Sequence, residues 1–260
     1  MTFRIFLTLL LNYYILYLKL SYMDIYIGNI NDYTTQYLTG LVCARHAKAS
    51  GRYRFDADRR RTLLAHALLD HAVSVSLPDM PLPTDPAVDG YGKPHIFLDA
   101  EHEFHFSLSH SGDYSICAVG KSPVGADIET IGNDKERIAE RFFAKEEQGF
   151  IKDAESFYRI WTLKESFMKA VGLGMKLPMD SFTVTELDEE TGSCRFKPCG
   201  SDSENTIADS LKDIYFDHKT GYYTISGMTL SKIPGYSLSV ALCNTGSGEE
   251  DIPAIHYPVL

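Results

Sequence analysis

Between Tyr53 and Val75 the chain places Leu63, Leu64, Ala67, Leu68 and His71 at intervals of three and four, the period of a helix with one buried face. A Pro-rich stretch from Pro78 to Pro86 then breaks the pattern. Short strand-like runs follow. Glu103–Leu108 alternates, Tyr114–Val119 is β-rich, and Val124–Ile128 comes after Lys121-Ser122-Pro123, a spacing that predicts a hairpin between the last two. Asn133 with Glu136 reads as a capping box opening a helix through Phe143. Asp153–Val171 reads as a second long helix closed by Gly172. Strand-like runs at Ser181–Glu186, Ile214–Phe216, Tyr222–Ser226 and Tyr236–Leu242 complete the pattern. The order predicts an α+β fold in two halves of similar content, joined near residues 120–124, with an active site between them. The expected divisions are 1–22, 23–122, 123–244 and a loose tail over 245–260.

Phe3–Leu20 is almost wholly apolar, interrupted by Arg4, Thr8, Asn12 and Lys19. No small-residue cleavage site marks a signal peptide, and the stretch is borderline for a membrane span. Translation starting at Met23, whose Met23–Ile27 reads as an edge strand, is preferred over an anchor.

Composition narrows the classes. Of 260 residues, 44% are hydrophobic and 23% charged, which excludes disordered and coiled-coil chains. A net charge of −10 argues against nucleic acid as a partner. Five cysteines without ligand spacing point to reduced thiols in a cytoplasmic protein. Against that acidic background, residues 45–61 hold Arg45, Lys48, Arg52, Arg54, Arg59, Arg60 and Arg61 against Asp56 and Asp58, a local charge of +5 that fits either a polyanionic ligand or a solvated helix start. Gly92-Lys93-Pro94 and Ser109-His110-Ser111 would add donors in turns. His102, His105 and His110 do not form a metal cluster, because their spacing alternates faces of a strand.

The clearest chemistry lies in Val124-Gly125-Ala126-Asp127-Ile128-Glu129. On a strand, Asp127 and Glu129 project to one face while Ala126 and Ile128 face the core. Two such carboxylates repel each other unless a cation lies between them, and their hard oxygens suit magnesium. A solvated strand end is the plain alternative for this pair alone. On the second helix, Lys164 falls within the apolar arc at about −20°, with Glu165 and Lys169 on its flank at about 80° and 120°. A lysine in a core stripe is expensive unless partnered, so the three together read as the wall of a site.

These residues resemble the 4′-phosphopantetheinyl transferases, specifically the longer, two-half, Sfp-like type that activates peptide and polyketide synthetases. The resemblance spans roughly Tyr26–Leu242. It rests on Arg61-Thr62-Leu63-Leu64, Gly92-Lys93-Pro94, Phe106-Ser107-Leu108-Ser109-His110-Ser111, Gly125-Ala126-Asp127-Ile128-Glu129, Arg141-Phe142-Phe143 and Trp161–Lys169, in the family's order. The family often has Asn where Ser107 stands, and the basic residues upstream of Arg61 are spaced differently here.

The resemblance implies two α+β halves in pseudo-twofold relation and a magnesium-dependent reaction. Coenzyme A would donate its phosphopantetheine arm to a serine of an acyl or peptidyl carrier protein, releasing 3′,5′-ADP. Asp127, Glu129 and Glu165 would hold the metal. Glu165 would take the serine proton and Lys169 would stabilise the leaving phosphate. Lys48, Arg61, Lys93, Ser109 and His110 would hold coenzyme A. The partners expected are the carrier protein and coenzyme A, without nucleic acid or membrane, for a monomer. Two other classes remain open on the residues: a magnesium-dependent nucleotide or pyrophosphate hydrolase, and a non-catalytic coenzyme A or carrier-binding module.

Overall fold

In the computed structural model, which describes residues 23–99, 102–132, 136–199, 211, 214–230, 233–243 and 253–260, each of two large sheets carries one long helix. The first part of the chain runs β1 (Met23–Asn29), α1 (Thr35–Leu41), α2 (Ala44–Ser50), α3 (Asp56–Ser76), β2 (Ala87–Val88), β3 (Pro94–Phe97), β4 (Glu103–Ser111) and β5 (Tyr114–Gly120). The second runs β6 (Val124–Thr130), α4 (Glu136–Phe142), α5 (Lys145–Gln148), α6 (Ala154–Val171), β7 (Phe182–Thr185), β8 (Ser193–Pro198), β9 (Phe216–Asp217), β10 (Tyr222–Tyr223), β11 (Ile225–Thr229), β12 (Tyr236–Cys243) and β13 (Ala254–His256). The fold is α+β. The segment 1–22, with its expected start or anchor, lies outside the described residues, as does Asn133.

The sheets have orders β13-β1-β5-β4-β3-β2 and β6-β12-β11-β8-β7, with β9 and β10 as a separate pair. Alternation along the strands builds three cores. Tyr26, Phe106, Cys117 and Val119 pack under α3 with Leu63, Leu64 and Leu68. Ile25, Ile27, Ile116 and Ala118, on the opposite face, meet Val124, Ala126, Ile128, Leu238 and Val240 of the other sheet. α6 covers the far side of that second sheet with Phe157, Leu163 and Phe167 against Phe182, Phe196 and Ile225. Asp153 caps α6 by accepting from the Ser156 backbone N–H at 2.8 Å, and Gly172 closes it at φ 79°.

Four expectations change. Tyr114–Val119 and Val124–Ile128 are not a hairpin. β4 and β5 are the hairpin, turned at Gly112-Asp113, where Gly112 has φ 54°. Lys121–Pro123 instead carries the chain from one sheet to the other, where β6 pairs with β12. Ser109-His110-Ser111 therefore lies on a strand rather than in a turn. β1 is an inner strand, because β13 pairs with it in parallel through Asp24↔Ala254, so the end of the expected loose tail is ordered.

Candidate active site

The acid side of the site depends on how closely α6 approaches β6. A Cβ added to Gly125 would sit 1.8 Å from the Ser166 carbonyl oxygen and 2.5 Å from the Ala170 nitrogen, so only glycine permits this contact. The approach brings Glu165 and Lys169, one turn apart on α6, against Asp127 and Glu129 of β6. Lys169 Nζ donates to Asp127 Oδ1 at 2.6 Å and to the Ala126 carbonyl at 3.1 Å. Ser109 Oγ donates to the same Asp127 oxygen at 2.8 Å, and Ser111 Oγ donates to Glu129 Oε2 at 2.8 Å. Asp127 is 4% exposed, and its other oxygen, Oδ2, is buried with no hydrogen-bond partner among the described residues. Burial first, and then the Asp127 charge, push the Glu165 carboxyl up to about 7 from 4.5.

These carboxylates face a cavity of about 400 Å³. Thr62 and His66 of α3, with His110 of β4, form its opposite wall, and Trp161 lies at its side. Thr62 Oγ1 and His66 Nδ1 are, like Asp127 Oδ2, buried and without a hydrogen-bond partner among the described residues. Buried polar atoms are rarely left unsatisfied, and here three of them belong to residues lining one cavity. The cavity therefore suits a polar ligand. His66 is pushed down to about 3 by burial and by the neighbouring His46 and Arg45, so its imidazole is neutral. It stacks on His46 with ring centroids 3.5 Å apart.

Asp127, Glu129, Glu165, Lys169, Ser109 and His110 are thus brought together around the cavity. Arg61, Lys93 and Lys48 do not line it. Arg61 donates to the Gly112 carbonyl at 2.5 Å and pairs with Asp58, which fastens α3 to the β4–β5 turn. Lys93 Nζ reaches across to the Ala170 carbonyl at 3.0 Å, near the end of α6, and Lys48 is exposed on α2. Much of the basic patch holds the chain to itself: Arg45 pairs with Asp85 at 2.5 Å, and Arg60 with Asp56 at 3.0 Å.

Lys164 is a correction. It is no part of the site wall but is fully buried behind it. Its Nζ donates to both oxygens of Glu147 at 2.7 Å and to the Phe182 carbonyl at 2.6 Å. Glu147 in turn accepts from the Val184 and Ala144 backbone N–H groups at 2.6 and 2.9 Å. The lysine in the apolar arc was visible from the sequence, whereas its partner on a separate short helix was not. Thr62, His66 and Trp161 are cavity residues to which the sequence assigned no role, and Ser111, expected as a donor in a turn, instead holds Glu129 from β4. Their signals were the i,i+4 polar pair after Arg61 and the period-two serines.

Residues 123–222 match the family model described as the 4′-phosphopantetheinyl transferase superfamily. A Bacillus subtilis 4′-phosphopantetheinyl transferase is 35% identical over 154 residues, covering 57% of this chain and 68% of that protein. The chain belongs to the 4′-phosphopantetheinyl transferases. The 4′-phosphopantetheinyl transferase gsp of Aneurinibacillus migulanus is 31% identical over 174 residues, 63% of this chain and 70% of its own. The 4′-phosphopantetheinyl transferase Sfp of Bacillus subtilis strain 168 is 39% identical over 145 residues, 51% of this chain and 61% of its own. This transferase is of the Sfp-like type. Its family match contains β6 and α6, and so all three carboxylates and Lys169. The α3 wall, with Thr62 and His66, lies outside that match.

Proposed function

We propose that this transferase moves the 4′-phosphopantetheine arm of coenzyme A onto a serine of an acyl or peptidyl carrier protein, with magnesium bound by Asp127, Glu129 and Glu165. The observation that carries the reading is the set of three carboxylates on one cavity, one of them with a buried oxygen that has no hydrogen-bond partner among the described residues. Such a donor set fits a hard divalent cation. The raised Glu165 points the same way: burial first, and then the neighbouring Asp127 charge, favour a proton on it when no cation is present.

When bound, magnesium would neutralise charge on the pyrophosphate oxygens. The chain's own residues do the rest. His110, Thr62 and His66 line the side of the cavity that receives the nucleotide phosphates, with Lys93, Arg61 and Lys48 placed around it. Glu165 accepts the proton of the carrier serine. The serine oxygen then bonds to the phosphorus bearing pantetheine, and the bond from that phosphorus to the bridging oxygen breaks. The ammonium of Lys169, next to the acidic cluster, stabilises the negative charge on the departing 3′,5′-ADP.

The two sheets represent two halves, 23–122 and 123–244, in pseudo-twofold relation. The change of sheet at Lys121–Pro123 and the single long helix on each sheet support this division. The five cysteines are unpaired thiols, which supports a reducing, cytoplasmic setting.

The test is the intact mass of candidate carrier proteins after incubation with coenzyme A and magnesium. The mass of the arm should appear on a wild-type carrier and be absent when the carrier serine is replaced by alanine. Consumption of coenzyme A at the same rate without any carrier would instead support a hydrolase.

A further inference from the structure

Among the described residues, β6 is an edge strand of its sheet, with β12 on one side only. An edge strand leaves alternate backbone N–H groups without a ladder partner, which is costly where the edge is buried. β4 supplies the missing acceptors from side chains. Ser107, Ser109 and Ser111 accept from the backbone N–H groups of Ala126, Ile128 and Thr130 at 3.0, 3.4 and 3.1 Å. A hydroxyl carries a single proton alongside its acceptor lone pairs. The oxygens of Ser109 and Ser111 face the strand amides, and their protons go to Asp127 Oδ1 and Glu129 Oε2, both at 2.8 Å. Each of these serines therefore grips a carboxylate and the backbone of the next residue on the same strand. Ser107 makes the amide contact alone, because the residue before Ala126 is Gly125, which has no side chain to hold.

We propose that Ser111 and Ser109 are positioning residues for the cation site, fixing Glu129 and Asp127 so that their remaining oxygens meet the cation already in place. This rests on the reading that these carboxylates bind a divalent cation. It also assigns the Ser109 hydroxyl to Asp127 rather than to coenzyme A. Ser107 is the built-in control, since it shares the contact between the sheets and touches neither carboxylate.

The experiment is titration of the full chain with Mn²⁺ in the absence of coenzyme A, reading free ion by electron paramagnetic resonance, with melting curves for every variant. Asp127→Asn marks loss of the site. Removing a partner that orients a metal ligand typically weakens affinity about 10–100-fold, and Ser111→Ala and Ser109→Ala should each fall in that range. Ser111→Thr, which keeps the hydroxyl, should stay within a few-fold of wild type, whereas Ser111→Val should lose affinity as Ser111→Ala does. Ser107→Ala should melt earlier yet bind Mn²⁺ like wild type. If Ser111→Ala fails to fold, the Thr and Val variants carry the comparison. The inference is overturned if folded Ser111→Ala or Ser111→Val binds Mn²⁺ as wild type does, or if Ser107→Ala loses as much affinity as they do. Equal binding by wild type and Asp127→Asn would instead overturn the cation-site reading itself.

Discussion

Glu165 is a cavity carboxylate whose protonation follows its surroundings. Its carboxyl is raised to about 7 in the folded chain against an ordinary 4.5, through burial and then the Asp127 charge. Between those values the folded state keeps a proton that the unfolded state has released. The resulting stabilisation is complete below 4.5 and is lost as pH rises through about 7. Without divalent cations, the melting temperature of wild type relative to Glu165→Gln should therefore fall as pH is raised from about 5 to about 8. A flat difference between the two curves would show that Glu165 titrates normally. The same variant keeps its size but cannot accept the serine proton. Turnover should drop about 10²–10⁴-fold, with coenzyme A affinity by calorimetry nearly unchanged. His110 lies on the other wall. His110→Ala should weaken coenzyme A binding about tenfold or more, and weaken dephospho-coenzyme A less. Equal losses for the two donors would remove the 3′-phosphate as its partner.

At the level of elements, the approach of α6 to β6 sets the site. Gly125→Ala would force the helix away from the strand, costing about 1–3 kcal/mol or more. It should also lower Mn²⁺ affinity, because Glu165 moves with the helix, and unchanged melting and binding would contradict the contact. Behind the site, the Lys164–Glu147 pair ties α6 to α5 and β7. Losing either partner alone should cost about 3–5 kcal/mol in denaturant unfolding, and replacing both by apolar residues should cost less than the two single losses combined. How much of this the sequence disclosed depended on the range of the interaction. The Asp127/Glu129 face, the α6 flank and the Gly172 cap follow from local periodicity and appear as expected. The β4–β5 hairpin was misplaced because Lys121-Ser122-Pro123 resembles a turn, whereas pairing was decided by β12, over a hundred residues away. Glu147, the Gly125 contact and the serine contacts are likewise long-range, and a single chain's pattern names the residues but not their partners.

In the whole molecule, β13 closes the free side of β1. His256 pairs with Asp24 at 2.8 Å, and Tyr37 Oη donates to the Leu260 carbonyl at 2.5 Å. Ending the chain at Cys243 would uncover the β1 edge, so the melting temperature should drop, while coenzyme A affinity should hold because no described residue beyond Cys243 lines the cavity. A loss of affinity matching the loss of stability would mean that the strand shapes the cavity after all. The same scale shows what the three serines do to the distance between the walls. Backbone ladders can re-form after sliding by two residues, but here the teeth are side chains spaced to meet amides at matching intervals. A slide of two residues, about 6.8 Å, would leave one tooth unmatched and carry Asp127 and Glu129 along the strand, away from His66 and His110. The join between the sheets thus acts as a gauge, setting how long a molecule can reach from the histidine wall to the carboxylates.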